Sequence, residues 1–188
     1  WRLEEAGVLW GGFPQQFVVY PDQLADAGYH VGYTGKGWGP GNWRKDGRET
    51  DPAGQAYNRE RSETPEGIDR TDYAANFAKF LEDRPEGAPF CFWMGTREPH
   101  RPYQEGIGTA SGKDAETVAL PEFLPDSPTI RDDFLDYYFE IEWQDAHLVR
   151  ALHLLEARGA LDDTMVVVTS DNGMQVPRQS RSKLVSWP

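Results

Sequence analysis

Three short polar clusters in this sequence carry side chains that could do chemistry. Lys36 lies in a glycine-rich run, His100 lies in a short stretch bounded by two prolines, and Asp171 and Asn172 precede a glycine. A lysine among glycine N–H groups suits an anionic oxygen, and an imidazole suits a proton donor or an anion contact. A carboxylate beside an amide carbonyl suits Ca²⁺ or Mg²⁺. Each cluster taken alone also fits an ordinary surface turn, so both interpretations stay open at this point.

Other charged residues are less informative. Arg181 and Lys183 would add positive charge near Asp171, although a basic run of this kind is also commonly solvated. His147 and His153 fall on a predicted helix, where we interpret both as structural or exposed.

The elements that position these clusters alternate between helix and strand. A helix is predicted over residues 20–28, where a proline suits the first turn and a glycine suits the end. A strand over 29–34 then leads into the glycine-rich run. Apolar residues at helical spacing predict an amphipathic helix around 73–81, and residues 88–96 predict a buried strand that ends shortly before His100.

The second half of the chain repeats this order. Ser127 and Pro128 suit the start of a long helix that ends at Gly159. Its predicted buried stripe contains Phe134, Tyr138, Ile141, Leu148, Leu152 and Leu155. Asp145 falls on that stripe, so it would need a hydrogen-bonding partner if it were buried. The β-branched run 164–169 predicts a strand buried on both faces that ends just before Asp171. Residues 42–67, polar and aperiodic, predict a long surface excursion.

The alternation predicts an α/β domain with a mostly parallel sheet and helices on both faces. In such a sheet, ligands bind outside the carboxyl ends of the strands. Because Lys36, His100 and Asp171 each follow a predicted strand, we expect the fold to bring them together.

Composition excludes some classes of function. The 19 Lys and Arg against 31 Asp and Glu give a net charge of −12, which argues against a broad nucleic-acid surface. No apolar run approaches the roughly 20 residues of a membrane-spanning helix. The lone Cys91 lies in an apolar run and is interpreted as a core thiol. Because the sequence opens on Trp1 rather than Met, we expect it to be an internal piece of a longer protein.

Taken together, the motifs resemble those of the sulfatases of the alkaline-phosphatase superfamily, within them the branch that includes heparan N-sulfatase. The matching segments are residues 20–24, 27–29, 32–36, 39–40, 99–100, 162–164 and 169–174. The resemblance implies that residues 1–188 are part of a single sulfatase catalytic domain without its N-terminal nucleophile segment and C-terminal subdomain. It also implies hydrolysis of sulfate esters or sulfamates on sugars of the glycosaminoglycan type, in an exported or lysosomal setting.

The resemblance also implies roles for the polar clusters. Asp171 and Asn172 would bind a divalent cation, usually Ca²⁺, that holds the sulfate oxygens. Lys36 and His100 would contact the sulfate and the leaving group. In this branch a basic residue follows the metal ligands along the sequence, and Arg181 fits that position better than Lys183.

The sequence departs from the family pattern in two places. Sulfatases attack with a formylglycine made from a Cys/Ser-x-Pro-x-Arg motif, and these 188 residues contain none, so the formylglycine is expected in an upstream segment. Trp38 stands where many sulfatases have a histidine. This chain alone is therefore expected to be inactive. A phosphatase or phosphodiesterase of the same superfamily and a non-catalytic protein that binds anionic sugars remain as alternatives.

Overall fold

The computed structural model describes residues 11–39, 41–170 and Gly173. The α-helices are α1 (Tyr20–Asp26), α2 (Tyr73–Asp83), α3 (Ile107–Ala110) and α4 (Pro128–Glu156). The strands are β1 (His30–Gly35), β2 (Gln55–Ala56) and β3 (Phe90–Gly95), and two short 3₁₀ turns span Trp43–Asp46 and Ala115–Thr117. The predicted helices and strands at residues 20–28, 29–34, 73–81 and 88–96 are therefore confirmed, with bounds that differ by at most two residues.

The three strands form one parallel sheet in the order β2-β1-β3. Strand β1 lies at its centre and pairs with β3 along their whole length, from His30 opposite Phe90 to Gly35 opposite Gly95. Parallel strands need long crossover connections, and α2 lies in the connection that leads from β2 at one edge of the sheet to β3 at the other. The predicted α/β class with a parallel sheet and helices is confirmed.

An aromatic core fixes α2 against the sheet. Phe80 is fully buried and packs on Phe92 with ring centroids 4.5 Å apart, while Phe77 packs on Phe92 at 4.8 Å. Gly32 of β1 allows this approach, because a Cβ at that position would lie 2.9 Å from the Phe80 ring. Ala151 and Leu155 of α4 close the same cluster. Helix α2 begins at an N-cap, where the Asp72 side chain accepts a hydrogen bond from the Ala75 backbone N–H.

Helix α4 buries a different face from the predicted one. Its start is as expected, with the Ser127 side chain accepting from the Ile130 backbone N–H at 3.4 Å and Pro128 in the first turn. Of the predicted stripe only Leu155 is buried, the other apolar members are half-buried, and Asp145 is exposed. The buried residues are instead Asp133, Leu135, Asp136, Glu140, His147, Ala151 and Leu155. The predicted apolar stripe was wrong because carboxylates on this helix bind the neighbouring loops. These contacts place the carboxylates on the buried face of the helix.

Two further sequence predictions are corrected. Residues 42–67 are not only a surface excursion, because β2 pairs with β1 and Tyr57 is buried. Residues 164–169 do not form a buried strand: they pair with none of the described strands, and Met165 and Val167 are 89% and 71% exposed. A β-branched run becomes a buried strand only when a neighbouring strand satisfies its backbone.

The fold also bears on the predictions for Cys91 and for a membrane span. The Cys91 side chain is only half-buried on β3, so the predicted core thiol lies at the margin of the core. Within the described ranges, no helix has the length and apolar character to traverse a bilayer.

The aromatic core gives a stability prediction. We expect Phe80→Ala to lower the free energy of unfolding by about 3–5 kcal/mol, because the substitution removes a fully buried ring and leaves a cavity. Urea unfolding followed by circular dichroism measures the change. Phe123→Ala is the matched control, since that ring is 78% exposed and its loss should cost about 0.5 kcal/mol or less. Equal losses for the two variants would contradict the assigned core.

Candidate functional site

A cleft of about 390 Å³ lies beyond the carboxyl ends of β1 and β3. It is lined by Lys36, Gly67, Ile68, Asp69, Arg97, Glu98, His100, Arg101 and Glu140. Two of the residues predicted from the sequence, Lys36 and His100, therefore lie in the same cleft although they are far apart along the chain. This convergence is the arrangement that a parallel sheet favours at its carboxyl edge.

Lys36 is positioned by close contact between two strand ends. Its backbone N–H donates a hydrogen bond to the Gly95 carbonyl at 2.6 Å, directly beyond the last residue pair of β1 and β3. Gly35 has a φ of +75°, which favours glycine, and a Cβ there would collide with the Gly95 carbonyl. A Cβ on Gly95 would in turn collide with the Lys36 carbonyl. Only a pair of glycines lets the ends of β1 and β3 approach this closely.

Side chains of the segment between β1 and α2 also hold the glycine-rich run that carries Lys36. The Asn58 side-chain carbonyl accepts hydrogen bonds from the Gly35 backbone N–H at 2.6 Å and from the Thr34 hydroxyl at 3.1 Å. Asp51 accepts from the Trp38 backbone N–H at 3.2 Å. The Trp38 indole packs on Phe13 with ring centroids 5.0 Å apart, so it contributes to packing rather than lining the cleft. The loop that carries Lys36 is thus fixed by side chains on both flanks.

His100 is oriented by its own backbone neighbours. Its Nδ1 lies 2.6 Å from the Arg101 carbonyl, and because a carbonyl only accepts, Nδ1 carries the proton in this contact. The other ring nitrogen, Nε2, is then the acceptor of a neutral ring or a second donor of a protonated one. The His100 backbone N–H donates to Glu140 Oε2 at 2.7 Å.

Two arginines of the cleft are already paired with carboxylates. Arg97 Nε lies 3.0 Å from Asp69 Oδ2, and Arg101 binds the buried Asp133 through both guanidinium Nη atoms. Lys36 makes no ion pair with any residue of the described ranges. Its ammonium is therefore available for an anion that enters the cleft.

Glu98 connects three parts of the site. It is buried, and its two oxygens accept from the Asp69 backbone N–H and from the Tyr73 hydroxyl, both at 2.8 Å. The Tyr73 oxygen also accepts from the Arg97 backbone N–H at 3.0 Å. Burial raises the pKa of Tyr73 well above its ordinary value, with the Glu98 charge adding to the effect, so the phenol remains a donor. The end of β3 is thereby fastened to α2.

Glu140 has an unusual environment at the back of the cleft. Its side chain is buried, with Oε2 bound to the His100 backbone and Oε1 lacking a hydrogen-bonding partner among the described residues. Burial raises the pKa of Glu140 to about 7, and the charge of Glu98 reinforces this shift. The His100 N–H and the Arg101 charge oppose it. The carboxyl thus changes its protonation state near neutral pH.

The structure leaves part of the predicted site untested. Asp171, Asn172, Arg181 and Lys183 lie outside the described residues. Within the described ranges, no group of three or more His, Cys, Asp or Glu side chains is arranged to hold a metal ion. His147 is structural: it is buried, packs edge-on against Tyr73, and lies 3.5 Å from Asp72. His153 is exposed.

Sequence reasoning missed Arg97, Glu98 and Glu140. Glu98 could have been suspected because it directly precedes the Pro99-His100 pair and follows a buried strand. Glu140 could have been found by noting that Asp133, Asp136, Glu140 and His147 recur on one face of the long helix. A polar stripe at helical spacing indicates partners across an interface.

Glu140 makes the stability of the chain depend on pH. Because its folded-state pKa of about 7 exceeds the unfolded value, the folded state holds the proton more tightly. This stabilisation is present below the unfolded pKa of about 4.3 and is lost as the pH rises through 7. We expect Glu140→Gln, which resembles the protonated carboxyl, to be more stable than the parent at pH 8 by a margin that shrinks at pH 5. Urea unfolding at both pH values measures the difference.

The matched control for this prediction is Glu156→Gln, at an exposed position on the same helix. Its effect on the free energy of unfolding should be the same at both pH values. A Glu140→Gln effect that does not vary with pH would contradict the assigned protonation behaviour.

Comparison with known proteins identifies the family. The family model described as Sulfatase matches residues 4–184. The chain is also 30% identical, over 131 residues, to a human protein named N-sulphoglucosamine sulphohydrolase; the match covers 58% of this chain and 26% of that protein. The chain therefore spans about a quarter of the length of this relative. With the cleft at the carboxyl edge of its parallel sheet and nearly its whole length matched, the chain belongs to the sulfatase family.

Proposed function

We propose that this chain supplies the anion-binding part of the active site of a sulfatase that hydrolyses sulfate esters or sulfamates of sugars. The observation that carries the proposal is the convergence of Lys36 and His100 in one cleft at the carboxyl ends of β1 and β3. The printed name of the human relative, an N-sulphoglucosamine sulphohydrolase, favours a sulfated amino sugar as the substrate class.

In this proposal, Lys36 binds a sulfate oxygen. Its ammonium forms no ion pair with any described residue, and it lies on a loop fixed by the Gly35 and Gly95 contact. A positive charge at this place stabilises the negative charge of the sulfuryl oxygens as the bond to the leaving group breaks. A preorganised cation does this without a reorganisation cost.

His100 is proposed to serve the leaving group. When an S–O or S–N bond breaks, the departing oxygen or nitrogen takes up a proton, and a protonated imidazole can provide one. The contact of Nδ1 with the Arg101 carbonyl leaves Nε2 for this role. The Glu140 hydrogen bond to the His100 backbone holds the residue in place.

A divalent cation, Ca²⁺ in this proposal, would be held by Asp171 and Asn172. A carboxylate and an amide carbonyl are hard oxygen ligands and fit such an ion. When bound, the ion would neutralise charge on the sulfate oxygens. Arg181 or Lys183 would add positive charge beside it.

The attacking group is proposed to be a formylglycine supplied by an upstream segment of a longer protein. No Cys/Ser-x-Pro-x-Arg motif occurs in the 188 residues, and Cys91 is followed by Phe92-Trp93-Met94-Gly95. Burial raises the pKa of the Cys91 thiol, which makes it less reactive at neutral pH.

Two other functions are weighed against this one. Phosphatases and phosphodiesterases of the superfamily bind two transition metals through several histidines, whereas here His30 stacks on Phe80, His147 packs on Tyr73 and only His100 of the described histidines lines the cleft. A non-catalytic relative would keep the anion site without a nucleophile. A Cys/Ser-x-Pro-x-Arg motif upstream in the longer protein would indicate an enzyme, and its absence a binding protein.

The anion site is tested by sulfate binding to the chain. We expect Lys36→Met to weaken binding of inorganic sulfate about 10- to 100-fold, because a hydrogen bond to a charged group contributes about 1.5–3 kcal/mol. Titration followed by the backbone NMR signals of residues 36 and 100 measures the affinity. Lys79→Met is the control, since Lys79 lies on α2 and pairs with Glu82. Equal affinity in the Lys36 variant and the parent would refute the proposed anion site.

The absence of a nucleophile motif is tested by turnover. We expect no hydrolysis of a chromogenic sulfate ester by this chain with Ca²⁺ present, because no residue here supplies the attacking oxygen in the family's manner. Release of the chromophore over hours, against a buffer blank, measures the rate. Steady turnover that Lys36→Met abolishes would show that the chain has its own nucleophile.

A further inference from the structure

Glu140 is the one buried side chain of the cleft with an oxygen that no described residue satisfies. Only 2% of the residue is exposed, and Oε1 has no hydrogen-bonding partner among the described residues. Buried polar atoms are nearly always hydrogen-bonded, so an unpaired oxygen on a residue that lines the cleft indicates a missing partner. The other cleft carboxylates have theirs: Glu98 binds the Asp69 N–H and Tyr73, and Asp69 binds Arg97.

The two oxygens of Glu140 have different roles. Oε2 accepts from the His100 backbone N–H at 2.7 Å, so it must keep a lone pair there. When the carboxyl is protonated, the proton therefore belongs on Oε1, the oxygen that has no partner among the described residues. A neutral carboxyl on a residue that lines the cleft is a donor suited to an anion.

We propose that Glu140 is a ligand-binding residue of this cleft, whose protonated Oε1 donates a hydrogen bond to an anionic ligand bound by Lys36. This inference rests on the proposed anion site and adds to it a donor that exists only in the neutral form of the carboxyl. An ionised Glu140 would repel the same anion, so binding should strengthen as the carboxyl takes up a proton.

The surroundings of Glu140 are consistent with a neutral carboxyl near pH 7. Glu98 and Asp136 face it with like charges and, together with burial, raise its pKa to about 7. Arg101 and the His100 N–H oppose the shift, and Arg101 is bound to Asp133. Tyr103 also faces it, and burial raises the pKa of that phenol to about 12, so it stays protonated.

The remaining charged residues of the cleft are Lys36, Asp69 and Arg97. Arg97 and Asp69 form an ion pair at 3.0 Å. His100 also lines the cleft and can donate a hydrogen bond to an anion, so its contribution has to be separated from that of Glu140.

The test measures sulfate affinity against pH in a His100→Gln background. Inorganic sulfate is the probe because it stays a dianion over this range, and ionic strength is held constant with chloride. From about pH 6 to about pH 8.5, we expect the affinity of the His100→Gln variant to fall about tenfold as the carboxyl ionises. The double variant His100→Gln/Glu140→Gln should show no fall, because an amide N–H₂ replaces the O–H donor at every pH. Titration of the backbone NMR signal of residue 36 measures each affinity.

A measurement on the unaltered chain covers the case in which a variant does not fold. The ¹³C carboxyl signal of Glu140 is titrated with and without saturating sulfate. Since the protonated form binds the anion, sulfate should raise the midpoint of this titration by linkage. An unchanged or lowered midpoint would overturn the proposal.

The outcomes separate this proposal from the one it rests on. A pH-independent affinity in His100→Gln, or the same fall in the double variant, overturns the role of Glu140 while the dependence on Lys36 stands. Failure of sulfate to bind at any pH, or binding that Lys36→Met leaves unchanged, overturns the anion site and the role of Glu140 with it.

Discussion

The site depends on two neighbouring parallel strands that end in register with a glycine at each end. Gly35 and Gly95 face each other across β1 and β3, and neither position has room for a Cβ. The backbone beyond them stays in contact, with the Lys36 N–H bound to the Gly95 carbonyl. The loop with Lys36 and the loop with His100 therefore leave the sheet side by side. Main-chain contacts, rather than flexible side chains, keep the starts of these two loops close together. A cation positioned in this way needs little reorganisation to bind an anion.

A second layer supports these loops from helix α4. Its buried carboxylates each bind something beyond the helix: Asp133 binds Arg101, Asp136 accepts from the Gly106 and Gly108 backbone N–H groups, and Glu140 accepts from His100. Burying a carboxylate is unfavourable unless it gains hydrogen bonds, so this helix face is stable only when the loop after β3 has its present conformation. Loop and helix thus specify each other, which explains how a segment without regular structure holds His100 in place.

The sequence predicted the elements whose residues repeat with a regular period. The aromatic spacing of α2 and the strand pattern of β1 and β3 come from side chains that face one apolar core, so local pattern and tertiary structure agree. The face of α4 and the position of Glu140 were not predictable in this way, because burial there is decided by polar partners far along the chain. The strand predicted at residues 164–169 was wrong for a related reason. β propensity is only a preference, and a strand forms where a neighbouring strand is present to pair with it. Lys36 and His100 were predicted because each follows a strand. Arg97 has no distinctive spacing, and Glu98 was missed although it precedes the Pro99-His100 pair after a buried strand.

The balance of charge in the cleft bears on the size of the ligand. The chain has a net charge of −12, so a long polyanion approaching its surface meets repulsion over much of its length. Arg97 and Arg101 are neutralised by Asp69 and Asp133, which leaves Lys36 as the cation of the described cleft without an ion pair. Attraction is then confined to about 10 Å around one ammonium, because salt screens exposed charges beyond about 8–10 Å. A small ligand with a single anionic group gains that local attraction while placing the least charge against the acidic surface, and this is the ligand geometry that the charge distribution favours.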